Sequence, residues 1–195
     1  MGYKVFSGSQ FSLYYADVGT TATAITAATG VITPDSTEWT EIGTGLFAQD
    51  FVLNNQDVRQ EIMTAGGRGM PDGERRTVRG LLVTGGLYDM SLESYEIAWG
   101  NDISETAAGS DQVGVLKLNL DLSLEVEEYA VEIILTSQYG EGSDELLGHI
   151  YLPKASIMLG EMSGATTVAP VPFTVKQLIH TNDGFIEMVS GPATS

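Results

Sequence analysis

The chain contains no cysteine among its 195 residues. This absence excludes disulfide bonds, thiol nucleophiles and thiolate metal sites, and it is typical of proteins that fold in a reducing compartment. Histidine is nearly as scarce, because His149 and His180 are the only two. A zinc site would need both histidines plus carboxylates, and no such group has ligand spacing. The composition therefore predicts no metal and no cofactor.

Long apolar runs and catalytic motifs are also missing. No segment approaches the ~18 apolar residues of a membrane helix, and residues 1–6 have no secretory core. No Gly-x-Ser-x-Gly motif occurs, and the glycine-rich segment 66–73 lacks the Gly-Lys-Ser/Thr ending of a phosphate loop. We therefore expect neither export, membrane insertion nor an enzyme.

Positive charge is scarce, with 9 Lys and Arg against 26 Asp and Glu, for a formal net charge of −17. Such a body repels nucleic acid and anionic membranes. The distribution is uneven, since an acidic segment at 118–145 has no Lys or Arg, whereas basic residues cluster earlier: Arg59, Arg68, Arg75, Arg76 and Arg79. This asymmetry is consistent with contacts between copies, or with ion pairs inside one subunit.

The strongest pattern is residues 115–126, where apolar side chains hold every second position from Leu116 to Val126. This alternation predicts a two-faced strand. The phase changes after Glu127 and Glu128, which leaves two possibilities: a tight turn, or a bulge in one long strand.

Similar patterns predict strands at 3–18, 46–53, 58–63, 75–84, 129–135, 148–159, 173–180 and 185–189. The segments 19–37 and 101–114 are predicted to be loops, and a long glycine-rich loop is predicted at 64–74. Gly85-Gly86 is expected to end a strand, Pro153 to mark an edge or kink, and Asn182-Asp183-Gly184 to form a hairpin turn. Trp39 is expected in the core.

One amphipathic helix is predicted, beginning at Ser91 and ending at Trp99. Tyr88, Leu92, Tyr95 and Trp99 recur at helical spacing, and Gly100-Asn101 supplies a C-cap. The predicted fold is therefore a single domain over 1–195, mainly β, with sandwich- or barrel-forming sheets, one flanking helix and a long loop between strands.

Four stretches together resemble the major tail tube proteins of tailed bacteriophages. The first is Gly8-Ser9-Gln10-Phe11-Ser12-Leu13-Tyr14-Tyr15 together with Trp39-Thr40-Glu41-Ile42-Gly43. The second is the long loop before a single helix. The third is the 129–133 strand with 151–157, and the fourth is the closing segment 173–189. The resemblance implies a β-sandwich with a flanking helix. It also implies that six copies join their sheets into a ring and that the rings stack into a tube.

The resemblance further implies a virion protein, assembled in the host cytoplasm. Its partners would be other copies of itself, a tape-measure protein in the lumen, tail terminator and tail-tip proteins, and viral DNA in transit without specific binding. We expect an acidic lumen face formed by Asp121, Ser123, Glu125 and Glu132, and an inter-ring contact through Arg68, Arg75 and Arg76.

Two other interpretations remain open. The chain could be another phage structural subunit, such as a head-decoration or tail-terminator protein. Alternatively it could be a β-sandwich that binds or cleaves carbohydrate, with Trp39 or Trp99 as sugar platforms and Asp121 with Glu125 as a carboxylate pair.

Overall fold

The computed structural model describes residues 9–25, 32–46, 51–62, 73–90, 94, 97, 103–110, 113–118, 127–137, 147–160 and 170–189. Within these residues lie ten β-strands: β1 (Ser9–Ala16), β2 (Thr40–Leu46), β3 (Val52–Ile62), β4 (Gly73–Met90), β5 (Ile103–Thr106), β6 (Val115–Leu118), β7 (Tyr129–Ser137), β8 (Leu147–Leu159), β9 (Val171–Gln177) and β10 (Phe185–Val189). The prediction of a mainly β protein is confirmed.

Eight strands form one antiparallel sheet in the order β10-β8-β7-β1-β2-β4-β3, and β9 pairs with both β4 and β8. The pairing therefore closes on itself through six strands, β1, β2, β4, β9, β8 and β7. Strand β3 extends from β4 and β10 from β8, while β5 and β6 form a separate two-stranded sheet. A β-sandwich, the finer prediction, is not confirmed.

The interior of the closed sheet is filled by apolar side chains. Residues at every second position point inward, such as Phe11 and Leu13 on β1 and Ile133 and Leu135 on β7, and all four are buried. The tilted ring of Phe173 on β9 lies 5.6 Å from the ring of Phe11. Because a six-stranded closed sheet has a narrow interior, these side chains fill it and form the main core.

Gly85 and Gly86 do not end a strand, contrary to prediction, because β4 continues through both to Met90. A Cβ at Gly85 would lie 2.6 Å from the Phe173 ring, and one at Gly45 would lie 2.2 Å from the Gly86 carbonyl oxygen. These glycines serve close packing of backbone against aromatic rings rather than a turn.

The predicted hairpin at 173–189 is also wrong. Strands β9 and β10 do not pair with each other, but run in the same direction along one edge of β8, opposite 155–159 and 147–151 respectively. The long strand β8 offers both segments a partner, so the Asn182-Asp183-Gly184 turn belongs to a connection between two collinear strands.

Pro153 lies inside β8 rather than at an edge, at a point where the pairing of β8 with β7 shifts in register. Tyr129 pairs with Ala155 and Val131 with Leu152, so two intervening residues of β8 face one residue of β7. Such a bulge releases a strand position from the ladder and accommodates proline. The freed carbonyl of Pro153 accepts a hydrogen bond from the Gly19 amide at 3.0 Å.

A second, smaller apolar cluster lies outside the closed sheet. Trp39 is 3% exposed and packs with Ala16, Ala130 and Tyr151, which confirms its predicted core position. The segment 17–25, which we call the strap, lies over this outer face, with Gly19 at a φ of 83° and Ala22 against the cluster.

The remaining predictions have mixed outcomes. Residues 103–106 were expected in a loop but form β5, which pairs with β6. The predicted strand at 115–126 is confirmed over Val115–Leu118, and 119–126 lie outside the described residues, so the choice between turn and bulge stays open. Within the predicted helix at 91–99, only Ser94 and Ile97 are described, and both are helical and buried. Tyr88, which was predicted on the apolar face of this helix, lies instead in β4.

The described part of the chain contains no helix with the length and apolar character needed to cross a membrane.

Candidate functional site

A group of ionisable side chains lies on the outer face of the sheet, where β7, β8 and β10 run side by side. His149 on β8 is opposite Ile134 of β7 and Glu187 of β10, and Glu132 is opposite Tyr151 in the next cross-strand row. Glu132, His149 and Glu187 therefore occupy neighbouring positions on one face of three adjacent strands. We call these three residues the acid–histidine cluster.

The imidazole of His149 lies between the two carboxylates. Its Nδ1 is 2.9 Å from Oε1 of Glu187, within hydrogen-bonding distance, and its Nε2 is 3.3 Å from Oε1 of Glu132. The second contact lacks hydrogen-bond alignment, and it is an ion pair when the imidazole is protonated. The Phe185 ring covers the imidazole edge-on at 5.2 Å.

The strap covers the Glu132 side of the cluster. The amide N–H of Thr23 donates to Oε1 of Glu132 at 2.5 Å, and the Thr23 hydroxyl donates to Oε2 at 2.6 Å. The hydroxyl of Tyr151 donates to the Thr20 carbonyl oxygen at 2.7 Å. The strap is thus attached to the outer face through a carboxylate and a phenol that both belong to the sheet.

Burial makes the charges in this cluster interdependent. Both Glu132 and His149 are 0% exposed, whereas the Glu187 side chain is 38% exposed. Burial by itself lowers the pKa of His149, but contact with Glu132 and Glu187 outweighs burial and raises this pKa above its usual value. Burial, and then the nearby Glu132 charge, raise the pKa of Tyr151.

An imidazole placed between two carboxylates is better suited to holding a proton than to activating a nucleophile. The Thr23 hydroxyl contacts the carboxylate of Glu132 and not the imidazole, so the order of groups in a hydroxyl–imidazole–carboxylate triad is not present. Among the described residues, no group of three or more His, Asp or Glu side chains could hold a metal ion.

A small cavity of about 190 Å³ lies elsewhere, between β4 and β10, and does not include the acid–histidine cluster. Its polar lining side chain, Gln177, is already engaged, because its Oε1 accepts a hydrogen bond from the Leu81 amide at 3.0 Å. The cavity is lined by Gly80, Leu81, Leu152, Gln177, Gly184, Phe185 and Ile186.

Of the residues predicted to face a lumen, only Glu132 is described. Asp121, Ser123 and Glu125 lie outside the described residues. Glu132 is fully buried under the strap, so its side chain does not line an open surface in this chain. The alternation correctly placed Glu132 on the face of β7 opposite the apolar residues, but the strap covers that face at Glu132.

The predicted arginine contact is only partly described. Arg68 lies outside the described residues, whereas the backbone of Arg75 and Arg76 belongs to β4. Arg75 is opposite Gln60 and Arg76 is opposite Arg59. These two arginines therefore lie on the paired part of a long hairpin, not in its connecting loop.

The acid–histidine cluster was missed as a unit by sequence reasoning. Its members come from three strands, separated by 17 residues between Glu132 and His149 and by 38 between His149 and Glu187. The sequence contained one indication of this cluster, because Glu132 is a charged residue in the otherwise apolar strand segment Val131-Glu132-Ile133.

No protein-family model matches this chain, and no curated protein is significantly similar to it.

Proposed function

We propose that the protein is a structural subunit that joins copies of itself into rings, and that these rings stack into the tail tube of a bacteriophage. In this proposal each subunit takes the sandwich arrangement with a flanking helix at 91–99 that the sequence resemblance implies. The main support from the fold is that two strands have an edge that no other described strand pairs.

Among the described strands, β3 pairs only with β4, and β10 pairs only with β8. The outer edge of each therefore has backbone N–H and C=O groups that another chain can pair. Apolar side chains are exposed on both strands: Val52 and Leu53 on β3, and Ile186 on β10. Joining two different edges is a head-to-tail contact, and such contacts produce rings when the rotation closes.

The β3–β4 hairpin supports contacts between rings. Strand β4 pairs with β9 only from Leu82 onward, whereas its pairing with β3 continues to Gly73. The far half of the hairpin thus extends past the closed sheet. Arg59 is opposite Arg76 there in the backbone register, and Arg75 is the neighbouring residue. In this proposal the positive charge of this segment contacts an acidic surface of the next ring.

The net charge of −17 also suits a genome channel, because an acidic wall repels phosphates and lets DNA pass without binding. In this proposal Asp121, Ser123 and Glu125 contribute to that wall. A tape-measure protein would fill the lumen before DNA passage, and terminator and tip proteins would contact the two ends.

Sedimentation velocity over a range of protein concentrations tests the assembly. We expect the wild type to form rings and the edge variant Ile186→Lys to remain monomeric. The matched control is Ile179→Lys, because Ile179 is 94% exposed but lies in the connection between β9 and β10. A wild type that stays monomeric at every concentration would contradict the proposal, and equal loss of rings in both variants would indicate nonspecific adhesion.

Stacking is tested separately with Arg68, Arg75 and Arg76 changed together to serine. We expect this variant to form rings that do not stack, and we expect stacking of the wild type to weaken with added salt. Wild-type rings that never stack would instead favour a terminator or head-decoration subunit.

A further inference from the structure

We propose that the acid–histidine cluster is a protonation-dependent latch, in which a charged His149 keeps the strap docked on Glu132 and a neutral His149 releases it. This inference does not depend on the proposed assembly, because every group in it belongs to one chain.

The first step concerns the number of donors on the imidazole. A charged imidazole carries an N–H group on each nitrogen and presents positive charge to both carboxylates, whereas a neutral imidazole has one N–H donor and one lone pair. Since Nδ1 makes the shorter contact, at 2.9 Å to Glu187, a neutral ring keeps its proton there. The Nε2 lone pair then faces Oε1 of Glu132 at 3.3 Å.

The second step concerns what Glu132 does next. Its carboxylate is fully buried, and a buried charge without a counter-charge is strongly unfavourable. Hydration of the carboxylate would compensate its charge, and the strap lies over this carboxylate. Loss of the His149 charge therefore favours undocking of Thr23, which contributes both hydrogen bonds to this carboxylate.

No other described group around the cluster supplies the positive charge that the protonated His149 places beside Glu132. Among the described residues, β7 contributes Glu132 and β10 contributes Glu187, while Tyr14 on β1 and Tyr151 on β8 border Glu132 as phenols. The strap itself contacts the cluster through Thr23, which has no charge. No described lysine or arginine pairs with Glu132, so His149 is its counter-ion.

The direction of the pH effect follows from the contact between His149 and the buried Glu132, because docking of the strap excludes water from this pair, strengthens its attraction and favours the charged imidazole. Burial lowers the pKa of His149, but contact with Glu132 and Glu187 raises it above its usual value. A group whose pKa is higher in the docked state stabilises docking fully below its ordinary pKa of about 6.5 and loses this effect as pH rises through the raised value. The strap is thus expected to be docked at mildly acidic pH and released at alkaline pH. If the pKa of His149 differs by one unit between the docked and the released strap, the docking equilibrium changes about tenfold.

Hydrogen exchange of strap residues 20–25, corrected for intrinsic exchange rates, measures docking. In the wild type we expect protection to fall about tenfold or more between pH 6 and pH 9. Glu132→Gln keeps the side-chain shape but removes the buried charge, so its strap should stay protected across this range. His149→Gln should show low protection at every pH.

The control variant is His180→Gln, which removes the other histidine. His180 lies near the base of the strap, but its Nδ1 accepts a hydrogen bond from the Asn182 amide and has no carboxylate partner among the described contacts. This variant should keep the wild-type pH dependence. The imidazole NMR signal of His149 should titrate with the same midpoint as the loss of protection.

Several results would overturn the latch. Wild-type protection that is constant from pH 6 to pH 9 would do so, as would a wild-type pH dependence in Glu132→Gln. Retention of the transition in His149→Gln, or its loss in His180→Gln, would assign the titration to another group. If His149→Gln fails to fold, the Glu132→Gln comparison and the NMR titration still decide the outcome.

Discussion

The inner and outer faces of the wall formed by β7 and β8 are both buried, but they are buried in different ways. Val131, Ile133 and Ile150 point into the closed interior, which the described part of the chain fills with apolar side chains. Glu132 and His149 alternate with them and lie beneath the strap, satisfied by charge and hydrogen bonds. The inner face is thus stabilised by apolar packing, which does not depend on pH. The outer face is stabilised by contacts that depend on the protonation of His149, and this difference shows which part of the subunit can respond to its surroundings.

The largest expected effect is on the inner face. Phe11 is fully buried against Phe51 and Phe173, so Phe11→Ala should lower the free energy of unfolding by about 4 kcal/mol, measured by urea denaturation. Phe185, which covers His149 on the outer face, is 37% exposed. Phe185→Ala should therefore cost less, about 2 kcal/mol. A larger loss for Phe185→Ala would reverse the ranking of the two faces.

The second prediction concerns close packing through glycine. Gly45→Ala should lower the free energy of unfolding by about 2–3 kcal/mol, because the added Cβ meets both the Gly86 carbonyl and the Phe11 ring. Gly80 on β4 is the matched control, since its nearest neighbour would be 3.6 Å from the new Cβ. Gly80→Ala should change stability by less than about 1 kcal/mol. Equal effects would mean that the sheet is less tightly packed at Gly45 than its geometry indicates.

The third prediction moves to the outer face. Thr23→Val keeps the side-chain shape but removes the hydroxyl that donates to Glu132, and it should cost about 2 kcal/mol at pH 6 because the lost bond is to a buried carboxylate. Thr21→Val, at an exposed strap position, should cost less than about 0.5 kcal/mol. If the two variants unfold at the same urea concentration, the contact at Thr23 does not stabilise the strap.

The smallest effect is expected from the second attachment of the strap. Tyr151→Phe removes the hydroxyl that donates to the Thr20 carbonyl and should cost about 1 kcal/mol. Because Thr20 belongs to the strap, which the latch releases at alkaline pH, this cost should be smaller at pH 9 than at pH 6. An equal cost at both pH values would mean that Thr20 stays attached when the rest of the strap is released.

Sequence alternation predicted which side chains share a face, but not what covers that face. Val131 and Ile133 were placed correctly on one side of β7, and Glu132 was placed on the other. The polar character of Glu132 implied solvent exposure, whereas the strap, 109 residues earlier in the chain, covers it. Burial of this kind depends on a contact distant in sequence, which periodicity cannot reveal.

The two wrong predictions about turns have a related cause. Gly85-Gly86 and Asn182-Asp183-Gly184 have turn-forming chemistry, but local chemistry competes with the pairing available to the flanking strands. Gly85 and Gly86 remain in β4 because β9 pairs along them, and β8 takes both β9 and β10 as partners. The strand patterns of β1, β7 and β8 were predictable because their alternation is regular over many residues.

Negative-stain electron microscopy of the purified protein is the most direct test of the proposed function. The open edges of β3 and β10, together with the hairpin that extends past the closed sheet, predict hollow rings that stack into tubes, with Ile186→Lys giving single particles. Compact single particles of the wild type at every concentration and salt level would contradict the proposal.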